Sequence, residues 1–310
     1  LWDGLTLGLV IGLAGVGLSM TYSILNFANF SHGDLITSGA FAGWVVTFLI
    51  AGFGRLPLSE LVVLGGPAGL DTRTLDIVVR LPGTTHQAIV VVAILLGLVI
   101  AGLGAMAISV FVDRVVYRPM REAEGISLLI ASVGVALILR YLIVFVFQTD
   151  LRGVTPVQQV PRFKVPMIDG TLSVGAHQIT LVIASVALML AVHFVLQRTK
   201  LGKAMRAMAD NRDLARVTGI PSERIVLWTW MIGGGLAGVA GYLIALERGT
   251  IVFLLGWKLL LLIFSAVILG GIGSIYGAMA GGLIIGVATT ISAVWLPSEF
   301  TRAAAFAVMI

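Results

Sequence analysis

Long apolar stretches alternate with short polar segments along the entire chain. About 20 apolar residues, rising about 1.5 Å each along a helix, cross a hydrocarbon core of about 30 Å. The stretches of this length predict membrane spans at 5–25, 35–52, 86–112, 126–147, 178–197, 225–246 and 275–296, with a short span at 259–271 and a last one opening near Ala303. We therefore predict an all-α, polytopic integral membrane protein with about eight to nine transmembrane helices, including short broken or re-entrant segments, in a single domain over 1–310.

Two polar segments between these spans are too long to be simple turns. Residues 53–85 contain several glycines and prolines with charges of both signs. Residues 148–177 contain Pro156, Pro161 and Pro166, whose spacing prevents a long helix. Both segments are predicted to be extended loops.

The segment 198–224 differs most from its surroundings, because it holds seven basic and three acidic residues in 27 positions. Each Lys, Arg or Asp at the centre of a span costs roughly 2.5 to 3.5 kcal/mol on insertion scales, so this segment is predicted to be a solvated loop. A loop of this kind is either a plain connector or a docking element for a soluble partner.

Local signals predict a short helix at 211–218 inside this loop. Asp210 is a good N-cap residue, and Asp213 favours the first-turn amides. Gly219 suits the left-handed position that follows a helix, and Pro221 prevents its continuation. The expected element is a rigid helix of about two turns.

Composition supports the membrane assignment. The chain is 58% hydrophobic and 11% charged, with a mean hydropathy of +1.06, whereas soluble domains are about 25% charged. Its net charge of +5 would suggest a nucleic-acid partner for a soluble protein, but here the basic residues lie between spans, so none is expected. Cysteine is absent, which excludes disulfides and thiolate metal sites, and no metal site is predicted.

Charge and parity together suggest an orientation. Two crossings separate the segments 113–125 and 198–224, which therefore lie on one side of the membrane. The density of basic residues in 198–224 favours the cytoplasm for that side. The amino terminus would then lie outside.

The 38 glycines are concentrated in the predicted spans. Small residues at such spacings let helix backbones approach closely, either as static packing or as a moving translocation interface. The glycines to which we assign helix packing are Gly234, Gly238, Gly241, Gly271, Gly273, Gly277 and Gly281.

A polar segment follows the first span directly. Its polar side chains are expected either to face a translocation pathway or to satisfy broken backbone hydrogen bonds at a turn. These residues are Asn26, Asn29, Ser31, His32 and Asp34. His32 is expected to form a local hydrogen-bonded pair with Asp34 rather than a proton relay. Arg140, alone within its span, is expected to snorkel or to pair with a neighbouring helix rather than to bind a substrate carboxylate.

Two absences restrict the function. No stretch has the GxxxxGK[ST] pattern of a phosphate-binding loop, so the chain is not expected to hydrolyse ATP or to have any catalytic residue. Few charged residues lie deep in the spans, whereas ion-coupled transporters usually bury several. The energy for transport is therefore expected to come from another protein.

Three separated segments resemble the permease subunits of branched-chain amino acid ABC importers. They are LNFANFSHGDLITSGAF at 25–41, DRVVYRPMRE with LLIASVGVALIL at 113–139, and the run from GKAMRAMADNRDLARVTGI at 202 through GGGLAGVAG to FSAVILGGIGSIYGAMAGGLIIG ending at 286. The resemblance covers nearly the whole chain in the correct order.

The resemblance implies a transport subunit of the prokaryotic plasma (inner) membrane without a cofactor of its own. It implies a second, homologous permease, two cytoplasmic ATPase subunits that bind ATP and Mg, and an external substrate-binding protein. The segment 198–224 then resembles a cytoplasmic coupling loop that contacts an ATPase, with the residues Arg206, Asp210, Asn211, Arg212, Asp213, Ala215, Arg216 and Gly219. Related permeases carry urea, short amides, other amino acids or sugars. An ATPase-independent secondary transporter and a structural scaffold are the alternatives from other classes.

Overall fold

The computed structural model describes residues 1–51, 85–154, 162–167, 170–297 and 300–310. The helices are α1 Trp2–Leu25, α2 Ser31–Ala51, α3 Thr85–Val112 with a π-helical turn Asp113–Tyr117 at its end, α4 Gly125–Phe147, α5 Ala176–Arg198, α6 Lys200–Asp210, α7 Arg212–Val217, α8 Ser222–Arg248, α9 Leu255–Gly270, α10 Ile275–Ser292 and α11 Thr301–Met309. The strands are β1 Arg152–Gly153, β2 Arg162–Met167, β3 Gly170–Gly175 and β4 Thr250–Ile251. Apart from Thr85, the predicted loop 53–85 lies outside the described residues.

Six helices among the described residues are long and apolar enough to cross a membrane: α1, α3, α4, α5, α8 and α10. Two further helices accompany these six: α2, which has 21 residues, and the shorter apolar helix α9, which has 16. The prediction of an all-α polytopic membrane protein is confirmed. The predicted loop 148–177 contains the antiparallel hairpin β2–β3, in which Arg162 pairs with Gly175 and Met167 with Gly170.

The helices α1 and α8 form the centre of the bundle. Both are largely buried, and α1 packs against α8, α9 and α10 while α8 packs against α2 and α3. In contrast, α4 exposes Ile126, Ile130, Ile138 and Phe145. Large apolar side chains on an outer helix are what contact with lipid requires.

Several glycines allow the helices to approach closely. A Cβ atom at Gly238 would overlap the Ala101 carbonyl oxygen of α3, and one at Gly39 of α2 would overlap the Gly238 backbone. Five of the glycines predicted to mediate packing have such contacts: Gly234 meets Ser109, Gly238 meets Ala101, Gly241 meets Ile36, Gly277 meets Gly270 and Gly281 meets Ala266.

Gly271 and Gly273 occupy a different environment from the other five glycines. Their φ angles are +90° and +88°, and the nearest atoms to an added Cβ are 3.7 Å or more away. Positive φ favours glycine because it has no Cβ. These two residues form the turn between α9 and α10 rather than a helix contact, which corrects their predicted role.

Two charged segments lie together at one end of the bundle. The segments 113–125 and 198–224 lie at the same end, where Arg121 Nε is 3.3 Å from the Glu223 carboxylate. We call this the basic end, as defined by these two segments. The prediction that they share a side is confirmed.

Candidate functional site

The polar segment after α1 folds back into the bundle. Asn26 ends α1 in the left-handed conformation, at φ 56° and ψ 34°, and is exposed. His32 Nε2 then lies 2.9 Å from the carbonyl oxygen of Ala14, a residue eleven positions before the end of α1. Eleven residues span about 16 Å of helix, so α2 begins well inside the bundle.

A buried hydrogen-bond network holds the start of α2. The Asn29 side-chain oxygen accepts from the Ser31 amide at 3.1 Å and from the Ser31 hydroxyl at 2.6 Å. Ser31 Oγ also lies 3.0 Å from the Tyr117 hydroxyl, and the Tyr117 ring stacks on Trp230 at 4.9 Å. The network therefore links the polar segment after α1, which we call the re-entrant segment, to α3 and α8.

The helix α9 also begins inside the bundle, beside the start of α2. The Gly256 amide donates to Thr37 Oγ1 at 2.9 Å, and a Cβ at Gly256 would overlap the Gly33 carbonyl oxygen. The Thr37 hydroxyl thus satisfies one of the first-turn amides that a helix leaves free. Two helix N-termini, each with a partial positive charge, meet at this point.

A charged pair lies next to these helix starts. Arg140 of α4 donates to both carboxylate oxygens of Asp34, at 3.1 and 2.9 Å, and its guanidinium carbon lies 4.6 Å from the centre of the Trp257 ring. Asp34 is fully buried. The prediction that Arg140 pairs with a neighbouring helix is confirmed. The predicted local pair of His32 with Asp34 is wrong, because His32 bonds to α1 and Asp34 to α4.

An apolar cavity of about 540 Å³ lies between α3 and α5 over the surface of α8. Its lining side chains include Met20, Leu103, Met106, Leu188, Val195 and Leu236. Such a lining provides no partner for an ionised group. The charged chemistry of the bundle interior is instead concentrated around Asp34 and Arg140.

At the basic end, the segment 198–224 is more ordered than a loop. Residues 200–210 form α6, which buries Gly202, Met205 and Met208 against the bundle. The Thr199 hydroxyl caps this helix by accepting from the Gly202 amide at 3.0 Å. Arg206, on α6, donates to Gln197 of α5 at 3.0 Å. The prediction of a solvated loop overlooked this amphipathic helix, whose apolar positions are few but share one face.

The predicted short helix is present as α7, with both ends capped. Its N-cap is Asn211, whose side-chain oxygen accepts from the Leu214 amide at 2.9 Å. The prediction of Asp210 as the N-cap is wrong, because Asp210 ends α6 and the chain turns one residue later. Gly219 has φ +84°, as predicted for the residue after a helix.

The C-terminus of α7 has the hydrogen bonds of a Schellman motif. The Gly219 amide donates to the Arg216 carbonyl at 3.0 Å, and the Ile220 amide donates to the Ala215 carbonyl at 3.0 Å. These bonds satisfy carbonyls that a helix end would otherwise expose. They fix the direction in which the chain enters α8.

One face of α7 is presented to solvent. Ala215 is buried toward the bundle, whereas Leu214 is 61% exposed and Val217 is 86% exposed. Asp213 and Arg216 are also exposed, and their ionised atoms are 4.0 Å apart. A capped helix with protruding apolar side chains between opposite charges has the character of a protein interface.

Charged side chains next to α7 connect the end of α3 to the start of α8. Arg121 contacts Asp113 of the π-helical turn at 2.9 Å and Glu223 of α8 at 3.3 Å. Burial and the nearby guanidinium groups of Arg216 and Arg121 lower the pKa of Arg212. The base of α7 is therefore held in a crowded, mainly cationic environment.

Removing the N-cap of α7 tests whether its rigidity matters. We expect Asn211→Ala to cost about 1 kcal/mol of local helix stability, because the Leu214 amide loses its acceptor. Hydrogen exchange of residues 212–217 should accelerate about fivefold. The matched control is Asn211→Asp, which keeps an acceptor. Equal exchange rates in the two variants would show that the Asn211 side chain does not stabilise α7 as its N-cap.

These features define a polytopic helical membrane protein in which α2 and α9 begin inside the bundle and a short capped helix, α7, is exposed at one end. Residues 1–310 match the family described as branched-chain amino acid transport system, permease component, and the chain belongs to that family.

Three curated relatives show the extent of the similarity. The permease protein LivH of Salmonella typhimurium, from a high-affinity branched-chain amino acid transport system, is 30% identical over 100% of this chain and 90% of its own length. The corresponding protein BraD of Pseudomonas aeruginosa is 27% identical over 99% and 90%. A probable branched-chain amino acid permease of Methanocaldococcus jannaschii is 28% identical over 93% and 78%. No solved structure matches the chain.

Proposed function

We propose that this chain is the membrane-spanning subunit of an ATP-binding-cassette importer for branched-chain amino acids. The transport systems named for the three relatives support this substrate class. The structural observation that supports an ATPase-coupled role is α7, a capped helix whose exposed face carries Leu214 and Val217. Urea, short amides or other amino acids are the alternative cargo within the same family.

The proposed complex contains a second, homologous permease, two cytoplasmic ATPase subunits and an external binding protein. This chain contributes no catalytic residue and no cofactor, and ATP and Mg are bound by the ATPases. The protein lies in the prokaryotic inner membrane with its basic end on the cytoplasmic side, since that end holds the densest group of basic residues.

Coupling is proposed to pass through the base of α7. Closure of the ATPases would displace α7 as a unit, because caps at both ends hold it rigid. Its neighbours Glu223 and Arg121 would carry that displacement to α8 and to the π-helical turn. The network of Tyr117 and Ser31 continues from this turn to the re-entrant segment and α2.

The decisive experiment is uptake into proteoliposomes that contain this chain with its partner permease, ATPases and binding protein. We expect leucine, isoleucine and valine to accumulate only when ATP is present on the ATPase side. Urea and ribose serve as test substrates for the alternatives. Accumulation in vesicles without ATPases would contradict the proposal and favour a secondary transporter.

A further inference from the structure

The pair of Asp34 and Arg140 lies at a depth where lipid should surround the bundle. Arg140 is seven residues before the end of α4 at Phe147, which places it about 10 Å along the helix from that end. The Arg140 guanidinium lies against the ring of Trp257, in the first turn of α9, and its other neighbour is the buried Asp34 carboxylate. One acidic and one basic side chain are therefore held together between α2, α4 and α9.

This part of the surface is poorly suited to contact with lipid. Arg140 is about one-eighth exposed, and exposed charges facing hydrocarbon are rare because their transfer is costly. Charged residues within spans usually face a water-filled cavity or another protein. The face formed by Arg140 and Trp257 is therefore expected to border an aqueous space or a partner subunit.

The chemistry of this face matches the two charges of an amino acid. A free amino acid carries one ammonium and one carboxylate group on adjacent carbons. The Asp34 carboxylate suits the ammonium group, and the Arg140 guanidinium binds carboxylates in a bidentate manner.

We propose that Asp34 and Arg140 form a binding site for the zwitterionic backbone of the transported amino acid, with Trp257 as its apolar wall. In the resting protein, Arg140 and Asp34 satisfy each other. The arriving substrate replaces their ion pair with two, ammonium to Asp34 and carboxylate to Arg140. The partial positive charges at the starts of α2 and α9 add to the attraction for the carboxylate.

This inference rests on the proposed function and deepens it, because it assigns the substrate's charged groups to particular side chains. The simpler explanation is a structural ion pair, since removing one partner of a buried pair is destabilising in any protein. A test must therefore remove the charges without leaving one of them uncompensated.

The paired neutral variant Asp34→Asn/Arg140→Gln meets this requirement, because both amides retain hydrogen-bonding capacity. We expect its leucine uptake in the complete reconstituted transporter to fall at least tenfold, while the variant still assembles with its partner subunits. The control is Glu247→Gln, which changes another carboxylate that accepts from Thr6 at 3.3 Å, and uptake should stay within twofold. Wild-type-like uptake by the paired variant would overturn the proposed site.

A second measurement does not depend on the stability of that variant. The chain has no cysteine, so Leu261→Cys, one turn after Trp257 on α9, introduces a single thiol. In the assembled transporter, leucine should slow its reaction with a charged methanethiosulfonate at least threefold. Leucine amide, which lacks the carboxylate, and 4-methylpentanoate, which lacks the ammonium, should not.

The control thiol for this measurement is Leu151→Cys, at an exposed position after α4, whose reaction should be independent of leucine. Equal protection of Leu261→Cys by all three compounds, or none by leucine, would overturn the site. Failure of the wild-type transporter to take up any amino acid would instead contradict the proposed function. The two failures are therefore distinguishable.

Discussion

Replacing Leu214 and Val217 together with aspartate is expected to abolish ATP-dependent uptake. The two side chains are the main apolar surface that α7 presents to solvent, and protein interfaces depend on a few such buried groups. Two added carboxylates would be desolvated against the ATPase without a partner. We expect uptake to fall more than a hundredfold, and co-purification of the ATPase subunits with this chain to be lost.

The control for this variant is Phe163→Asp. Phe163 is exposed to a similar extent as Leu214, but it lies in the β2–β3 hairpin rather than on α7. ATPase co-purification should be unchanged by this substitution. Retention of the ATPases by the Leu214→Asp/Val217→Asp protein would show that α7 is not the docking element.

The second large effect is expected from Gly238→Leu in α8. A Cβ at this position would overlap the Ala101 carbonyl oxygen and lie 2.5 Å from the Ala105 Cβ, and Gly39 of α2 packs closely against the Gly238 backbone. Overpacking usually costs about 1–3 kcal/mol, and here the obstructing atoms are mainly backbone. We expect almost no folded protein in size-exclusion chromatography after detergent extraction.

The matched control for Gly238→Leu is Gly134→Leu. Gly134 is also a helical glycine in a predicted span, but no atom lies within 4 Å of an added Cβ. Its variant should be extracted and should elute as wild type does. A folded Gly238→Leu protein would mean that α2, α3 and α8 can separate without loss of the fold.

The membrane spans could be predicted from sequence because length and apolar composition are local properties. The span predicted at 126–147 corresponds to α4 at Gly125–Phe147, and that predicted at 178–197 to α5 at Ala176–Arg198. The C-terminal limit of α7 was also predictable, since Gly219 and Pro221 act on their own backbone.

The parts that sequence did not predict depend on tertiary contacts or on competition between neighbouring signals. Asp34 and Arg140 are 106 residues apart, so no local pattern joins them. Asp210 and Asn211 are both good caps, and the packing of Met205 and Met208 extends α6 through Asp210, which leaves the cap to Asn211. The depth at which α2 begins depends on the His32 contact with Ala14, another contact distant in sequence.

The π-helical turn at the end of α3 sets the relative orientation of two side chains, Asp113 and Tyr117, that contact different parts of the protein. Asp113 and Tyr117 are its first and last residues, and their angular separation around the helix axis is set by the wider π winding. If this turn tightened to α-helical winding, Tyr117 would rotate relative to Asp113. The Asp113 bond to Arg121 and the Tyr117 bond to Ser31 could not then both persist. The two contacts can therefore exist at the same time only while this turn keeps its π-helical winding.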